Sequence, residues 1–282
     1  MGLTPSDRMA GAASKRGEAA AEGLPLTERM RKGTRQIHDK SDKLVNLKLA
    51  LVLTSKLLYG EAISLFAPIY AKLEEILGRQ AVAGGHPELS KLARFLPTLR
   101  RSEGFEADLR FFLGSEQLAA TKERWQRGEP PELAAYLSRL EELERSDPIL
   151  LLAYAYHMYL AIFAGGYQIR RAVKKALGLT GDEGVRTFCF DGLGSSTKSF
   201  REEYKHAINT ELSVTEEEVS RLLEESTRVF AQNNALVATV QSTQAFATAS
   251  ADCTSWMLKC SAGVLVVAMA VKFGWAAATA WR

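Results

Sequence analysis

The stretch Tyr154-Ala-Tyr-His-Met-Tyr-Leu-Ala-Ile-Phe-Ala-Gly-Gly-Tyr-Gln168 sets two adjacent glycines into what otherwise reads as an apolar helix. Each glycine in a helix interior costs roughly 1 kcal/mol relative to alanine. Gly165 and Gly166 therefore imply that something approaches the backbone closely, or that the helix bends. Two readings of the pair stay open: a flat ligand lying on the backbone, or tight contact with a neighbouring helix. Arg170, Arg171, Lys174 and Lys175 follow closely, which argues against a membrane span here.

Outward from this stretch, the chain between Leu24 and about Val240 reads as helix throughout. Val, Ile and Thr never alternate with polar residues over a strand's length, whereas apolar residues recur at helical spacing. Leu26 to His38 reads as one charged amphipathic helix. Leu57 to Leu77 carries Phe66, Ile69, Tyr70, Leu73 and Leu77 on one stripe. Gly84-Gly-His-Pro87 is a turn signal, with short helices expected from Glu88 to Arg100 and from Phe105 to Leu113. Pro130-Pro131 opens a helix with Leu133, Leu137 and Leu140 facing inward. Pro148 starts the glycine-containing helix, expected to reach Leu177. Gly178 to Thr197, with five glycines, reads as a loop. Helices from Lys198 to Asn209 and from Thr215 to about Val240 follow, the second opening on the capping box Thr215-Glu-Glu-Glu218.

With 282 residues, 46% of them apolar and 24% charged, the chain suits one large globular domain or two small ones. A formal charge of +3 is too small to indicate nucleic acid, and no such partner is expected. Cys189, Cys253 and Cys260 form neither a CxxC pair nor a disulfide framework, which points to reducing surroundings. Residues 1–24 lack the apolar run of a signal peptide and read as a disordered N-terminal segment. Their start, Met1-Gly-Leu-Thr-Pro-Ser6, fits the short myristoylation pattern. A small polar linker occupies 241–258. Beyond it, residues 259–282 are almost wholly apolar from Ser261 to Trp281, about 30 Å as a helix and enough to cross a bilayer. Lys272 interrupts this run but can snorkel, and Trp275 and Trp281 suit an interface. The segment reads as a C-terminal tail anchor.

Arg31, Arg35 and His38 share one face of the first helix, spaced by four and then three residues. Seven residues of helix span about 10.5 Å, comparable with the reach from a porphyrin's centre to beyond its propionates. One stripe could thus offer an imidazole to iron and guanidiniums to carboxylates, which arginine pairs bidentately. A solvated basic face with a surface histidine shows the same pattern, and the stripe alone leaves both open.

Four segments carry a resemblance. Met30-Arg-Lys-Gly-Thr-Arg-Gln-Ile-His38, followed by Asp39 to Leu51, resembles the proximal helix of heme oxygenases. Ala153-Tyr-Ala-Tyr-His-Met-Tyr-Leu160, running into Gly165-Gly166, resembles their distal helix. Thr187-Phe-Cys-Phe-Asp191 with Ser196-Thr-Lys-Ser-Phe-Arg-Glu-Glu-Tyr-Lys205, and Glu224 to Asn233, are similar to two further segments, in family order and spacing. The resemblance covers roughly residues 25–240. It implies a single all-α domain holding heme b, substrate and cofactor at once, between a proximal and a distal helix. It further implies His38 as the iron ligand, with Arg31, Arg35, Arg201 and Lys205 around the propionates. Tyr156, Phe230 and Asn233 would line the heme site, and Gly165 and Gly166 would form a low roof on its distal side. The apolar tail is similar to that of animal members, invertebrate ones especially. This implies the cytosolic face of the endoplasmic reticulum membrane, with NADPH–cytochrome P450 reductase supplying electrons. The implied activity is oxidative cleavage of heme by O2 to biliverdin, iron and carbon monoxide.

The distal helix also departs from the family pattern. Ala161 and Ile162 stand where many members carry Gly-Asp, and Met158 stands where an arginine supports the same water network. Met158, Ile162, Gly165 and Gly166 share a face by spacing, so an unusually apolar distal pocket is expected. Proton delivery would fall to waters on backbone groups or to Tyr156. The alternative is a tail-anchored heme-binding sensor or carrier whose turnover is weak or lost because the distal aspartate is absent. His157 points about 100° away from Tyr156 on a helix and reads as a core or surface residue. His86 reads as a solvated turn residue, and His206 as part of a charged helix.

Overall fold

Helix formers fill most of the chain, and proline, glycine and threonine divide them. The computed structural model describes residues 23–82, 85–190, 193 and 197–240. The disordered N-terminus, the linker and the tail anchor read from the sequence lie outside the described residues, apart from Gly23 and Leu24. The described residues contain no strand and eleven α-helices. These are α1 (Leu26–Gly33), α2 (Arg35–Val52), α3 (Lys56–Ser64), α4 (Ala67–Gln80), α5 (Pro87–Ser90), α6 (Leu96–Leu99), α7 (Ser102–Gln126), α8 (Pro131–Ser146), α9 (Leu151–Leu177), α10 (Thr197–Thr210) and α11 (Glu216–Ala238).

Three boundaries differ from the sequence reading. The first helix is broken at Thr34 (φ −98°, ψ 0°), so Arg31 lies on α1 while Arg35 and His38 lie on α2. The Thr34 hydroxyl donates to the Met30 carbonyl at 2.8 Å, the back-bonding that bends helices at buried threonine. The stripe from Leu57 to Leu77 is two helices, because Pro68 has no amide with which to continue the ladder and instead occupies the first turn of α4. Conversely, α7 runs past Leu113 to Gln126, re-aimed at Gly114 by a left-handed φ of 71°. The capping box at Thr215 is present as read, with Glu218 Oε2 accepting from the Thr215 amide at 2.8 Å.

The centre of the bundle is α9. From Leu151 to Tyr156 and from Met158 to Leu160 every residue is buried. Length and hydropathy would let Pro148–Leu177 cross a bilayer, but 78% of its apolar window is buried inside the bundle, which makes it a core helix. It ends at Gly178, whose φ of 65° gives the left-handed cap that glycine adopts without strain. On one flank Tyr70 of α4 donates from its hydroxyl to the Met158 carbonyl at 2.9 Å. On another, the Tyr154 hydroxyl donates to Glu225 Oε1 of α11 at 2.7 Å. Arg139 of α8 forks onto both oxygens of that carboxylate at 3.1 and 2.7 Å, so one buried anion clamps α8, α9 and α11. The segment after α9 is drawn onto α7 by Asp108, which accepts from the amides of Arg186 and Thr187, each at 2.8 Å. The helices α1 and α2 pack along α11, which also carries α9.

Candidate functional site

The resemblance expected heme between α2 and α9, and these helices converge on one phenyl ring. Phe230 of α11 meets the His38 ring of α2 edge-on at 5.6 Å between centroids. The same phenyl meets the His157 ring of α9 at 5.0 Å. His38 is half exposed, and its Nδ1 lies 3.3 Å from Asp42 Oδ2, one turn along α2. A carboxylate on Nδ1 fixes the tautomer and aims Nε2 outward, the arrangement by which imidazoles are oriented toward metals. Asp42 was not singled out from the sequence, although its spacing of four from His38 was the available signal. Among the described residues no cluster of three or more metal-ligating side chains occurs.

The two glycines divide between the two readings left open for them. A Cβ on Gly166 would meet Phe188 Cδ1 at 3.1 Å and Ile162 Cγ2 at 3.4 Å, so this glycine permits close packing. A Cβ on Gly165 would meet nothing within 4 Å. Beside it Ala161 is exposed, one turn earlier on the same face. That face of α9 is bare backbone and small side chains, the surface a flat ligand can lie on.

Ile162 is buried and lines a separate cavity of about 510 Å³ with Phe163, Phe188 and Arg201. Met158 is buried too. Its sulfur lies 3.6 Å from the donating Tyr136 hydroxyl and 3.5 Å from the donating Asn233 amide. A thioether is a weak acceptor, so polar groups on this side of α9 converge on an apolar residue. The expected apolar face is therefore present at Met158 and Ile162, while Gly165 turns away from it toward open space.

The remaining candidates spread along the rim. Tyr156 is buried and its hydroxyl donates to the Thr27 carbonyl at 2.9 Å, tying α9 to α1. Burial raises its hydroxyl pKa above the usual phenol value, a rise that the nearby Arg31 guanidinium opposes and Glu202 reinforces. Lys205 pairs with Glu202 at 3.1 Å, so Arg31, Tyr156, Glu202 and Lys205 are neighbours. Arg201 pairs with the same Glu202 at 3.3 Å. Arg35 is exposed. His86 caps α5, with Nδ1 accepting from the Glu88 amide at 3.3 Å, and His206 is exposed on α10.

His157 was read as an ordinary core or surface residue, and its ring is indeed largely packed away. It stands, however, in the same aromatic cluster as His38. Its Nε2 is buried without a hydrogen-bond partner. Burial, with a smaller push from His38, brings its pKa down to about 3, so the imidazole is neutral at physiological pH. Spacing from Tyr156 alone could not reveal this, because the contact depends on where α11 brings Phe230.

The described residues form an all-helical bundle in which the His38 and His157 rings, from different helices, meet at Phe230, and Gly165 is bare on the helix that carries His157. The sequence profile of the heme oxygenase family matches residues 24–239, and the chain belongs to that family. It is 32% identical to heme oxygenase 1 of Bos taurus over 213 residues, covering 74% of this chain and 68% of the relative. It is 30% identical to heme oxygenase 1 of Homo sapiens, covering 74% and 69%. Among solved structures it is similar to heme oxygenase 2 of Chlamydomonas reinhardtii without heme, with a TM-score of 0.70, 31% identity, and 77% and 98% of the two chains covered. The fold is also that of heme oxygenase-1 from the cyanobacterium Synechocystis in complex with heme, with a TM-score of 0.70, 24% identity, and 83% and 100% covered. Family membership supports heme binding and heme degradation as the general activity.

Proposed function

We propose that this protein is a heme oxygenase that cleaves heme to biliverdin, iron and carbon monoxide. The observation that carries the reading is the pairing of His38, held at Nδ1 by Asp42, with the open face at Gly165. Heme b, as substrate, brings the iron that activates O2, and electrons come from NADPH through a cytochrome P450 reductase. His38 Nε2 would bind the iron, and the Asp42 carboxylate, 3.3 Å from Nδ1, would favour the tautomer that leaves Nε2 free to do so. Arg31, Arg35, Arg201 and Lys205 are the cations that hold the propionates. Gly165 and Ala161 leave room for the porphyrin against α9, while Gly166 keeps Phe188 close behind. Tyr159 Oη on α9 and Asn233 Oδ1 on α11, buried polar atoms without a protein partner, are the groups fit to hold water. The apolar segment 259–282 serves as the tail anchor and holds the enzyme on the cytosolic face of the endoplasmic reticulum.

One observation favours a second reading, a heme-binding sensor or carrier with weak or lost turnover. Ile162 and Met158 offer no carboxylate or guanidinium to a proton-delivering water network, and the Tyr136 and Asn233 donors turn to sulfur instead. Anaerobic hemin loading, followed by O2 and a reductase with NADPH, separates the two. Bilin absorbance with carbon monoxide release is the expected outcome. A hemin complex that persists through many reductant equivalents overturns the oxygenase in favour of the carrier.

A further inference from the structure

We infer that His157 is a second imidazole within reach of the iron of bound heme, one that takes the metal where His38 does not. The inference rests on the heme reading of the site above.

Buried imidazole nitrogens are ordinarily hydrogen-bonded. His157 Nε2 is out of solvent with no partner, as is Tyr159 Oη two residues further along the same helix. By contrast, Tyr154 is bonded to Glu225 and Tyr156 to the Thr27 carbonyl. Its position is as telling as its lack of a partner. The His38 and His157 rings come from different helices and both touch Phe230, at 5.6 and 5.0 Å between centroids, which keeps the two imidazoles within a porphyrin's width. One turn onward on its own face stands Ala161 and then Gly165, so that face beyond His157 carries only small residues. A neutral imidazole is the form that binds iron. The other histidines lack this placement: His86 is engaged as a helix cap and His206 is exposed on α10.

The test titrates hemin into the full chain and into His38→Ala, His157→Gln and the double variant, reading the Soret and visible bands and the electron paramagnetic resonance of the ferric iron. Circular dichroism establishes that each variant is folded. The expected result is an imidazole-ligated ferric spectrum in His38→Ala that is lost in the double variant. Added free imidazole should then restore it in the double variant. The inference is overturned if His38→Ala and the double variant give the same spectrum while the unsubstituted chain binds hemin through histidine. An unsubstituted chain without a saturable hemin complex overturns the heme reading itself, and this inference with it. Should His157→Gln fail to fold, His157→Asn and His157→Phe in the His38→Ala background supply the same comparison.

Discussion

The two faces of α9 are built on opposite principles although one residue separates their key positions. On the inner face Met158, Ile162 and Gly166 are packed against other helices and Phe188, and glycine is there because a side chain would collide. On the outer face Ala161 is exposed and a Cβ on Gly165 would meet nothing, so glycine is there although helix propensity disfavours it. A residue kept small where space is plentiful points to a visitor, while one kept small where space is absent points to packing.

The largest effect belongs to the inner face, at the clamp that presses α11 and α8 onto it. Glu225→Ala removes the buried acceptor shared by Arg139 and Tyr154, leaving Arg139 only its exposed partner Glu142 and Tyr154 only Gln232. Losing one partner of a buried pair costs about 3–5 kcal/mol. Because Arg139 keeps Glu142, urea unfolding should show a loss at the low end of this range, about 3 kcal/mol, and a loss below about 1 kcal/mol, the worth of an exposed pair, would mean that the clamp is ornamental. Next comes Gly166→Leu. With Phe188 at 3.1 Å from the first added carbon, overpacking should cost about 1–3 kcal/mol, measured in the same way.

Much of this contrast was legible in the sequence, and the parts that were not have physical causes. The all-helical body, the extent of the long central helix and the capping box at Thr215 follow from periodicity, proline and local hydrogen bonding, which are properties of neighbouring residues. The break at Thr34 was missed because a threonine within a helical pattern does not announce whether its hydroxyl will turn back onto the chain. The extension of α7 beyond Leu113 was missed because Gly114 re-aims the helix without ending it. At the site, His38 and its basic neighbours were visible as a stripe, while Asp42 was overlooked and His157 was set aside. Spacing along α9 tells which way His157 leaves its own helix. It says nothing of Phe230, which lies 73 residues away in sequence.

A third prediction uses pH to probe the histidine between the two faces. The folded pKa of His157, about 3, lies below the ordinary value of 6.5, so below pH 6.5 the unfolded chain binds a proton that the native chain refuses. Its contribution to stability is therefore intact above 6.5 and is lost as pH falls toward 3. At about 1.4 kcal/mol per pH unit, the loss by pH 5 should be about 2 kcal/mol. His157→Gln should lack that loss, so its unfolding free energy, measured between pH 7.5 and 5, should gain on that of the unsubstituted chain as pH falls. Parallel curves would mean that the ring is solvated and not held in the cluster.

The smallest change in stability carries the sharpest test of the comparison. Gly165→Leu replaces a poor helix former by a good one where nothing stands within 4 Å, so the chain should become more stable by about 0.8 kcal/mol. The same side chain would occupy the face on which a porphyrin is proposed to lie, so hemin affinity should fall by at least about tenfold, the equivalent of 1.4 kcal/mol. Stability and binding thus move in opposite directions at Gly165. At Gly166 a leucine lowers stability outright, and any loss of hemin binding follows from it. Differential scanning calorimetry and hemin titration on both leucine variants read the two quantities separately. If Gly165→Leu destabilises as much as Gly166→Leu, the two faces are equivalent and the glycines are packing residues alone. If it stabilises and leaves hemin binding unchanged, the outer face is open for some other reason, and the porphyrin does not lie on it.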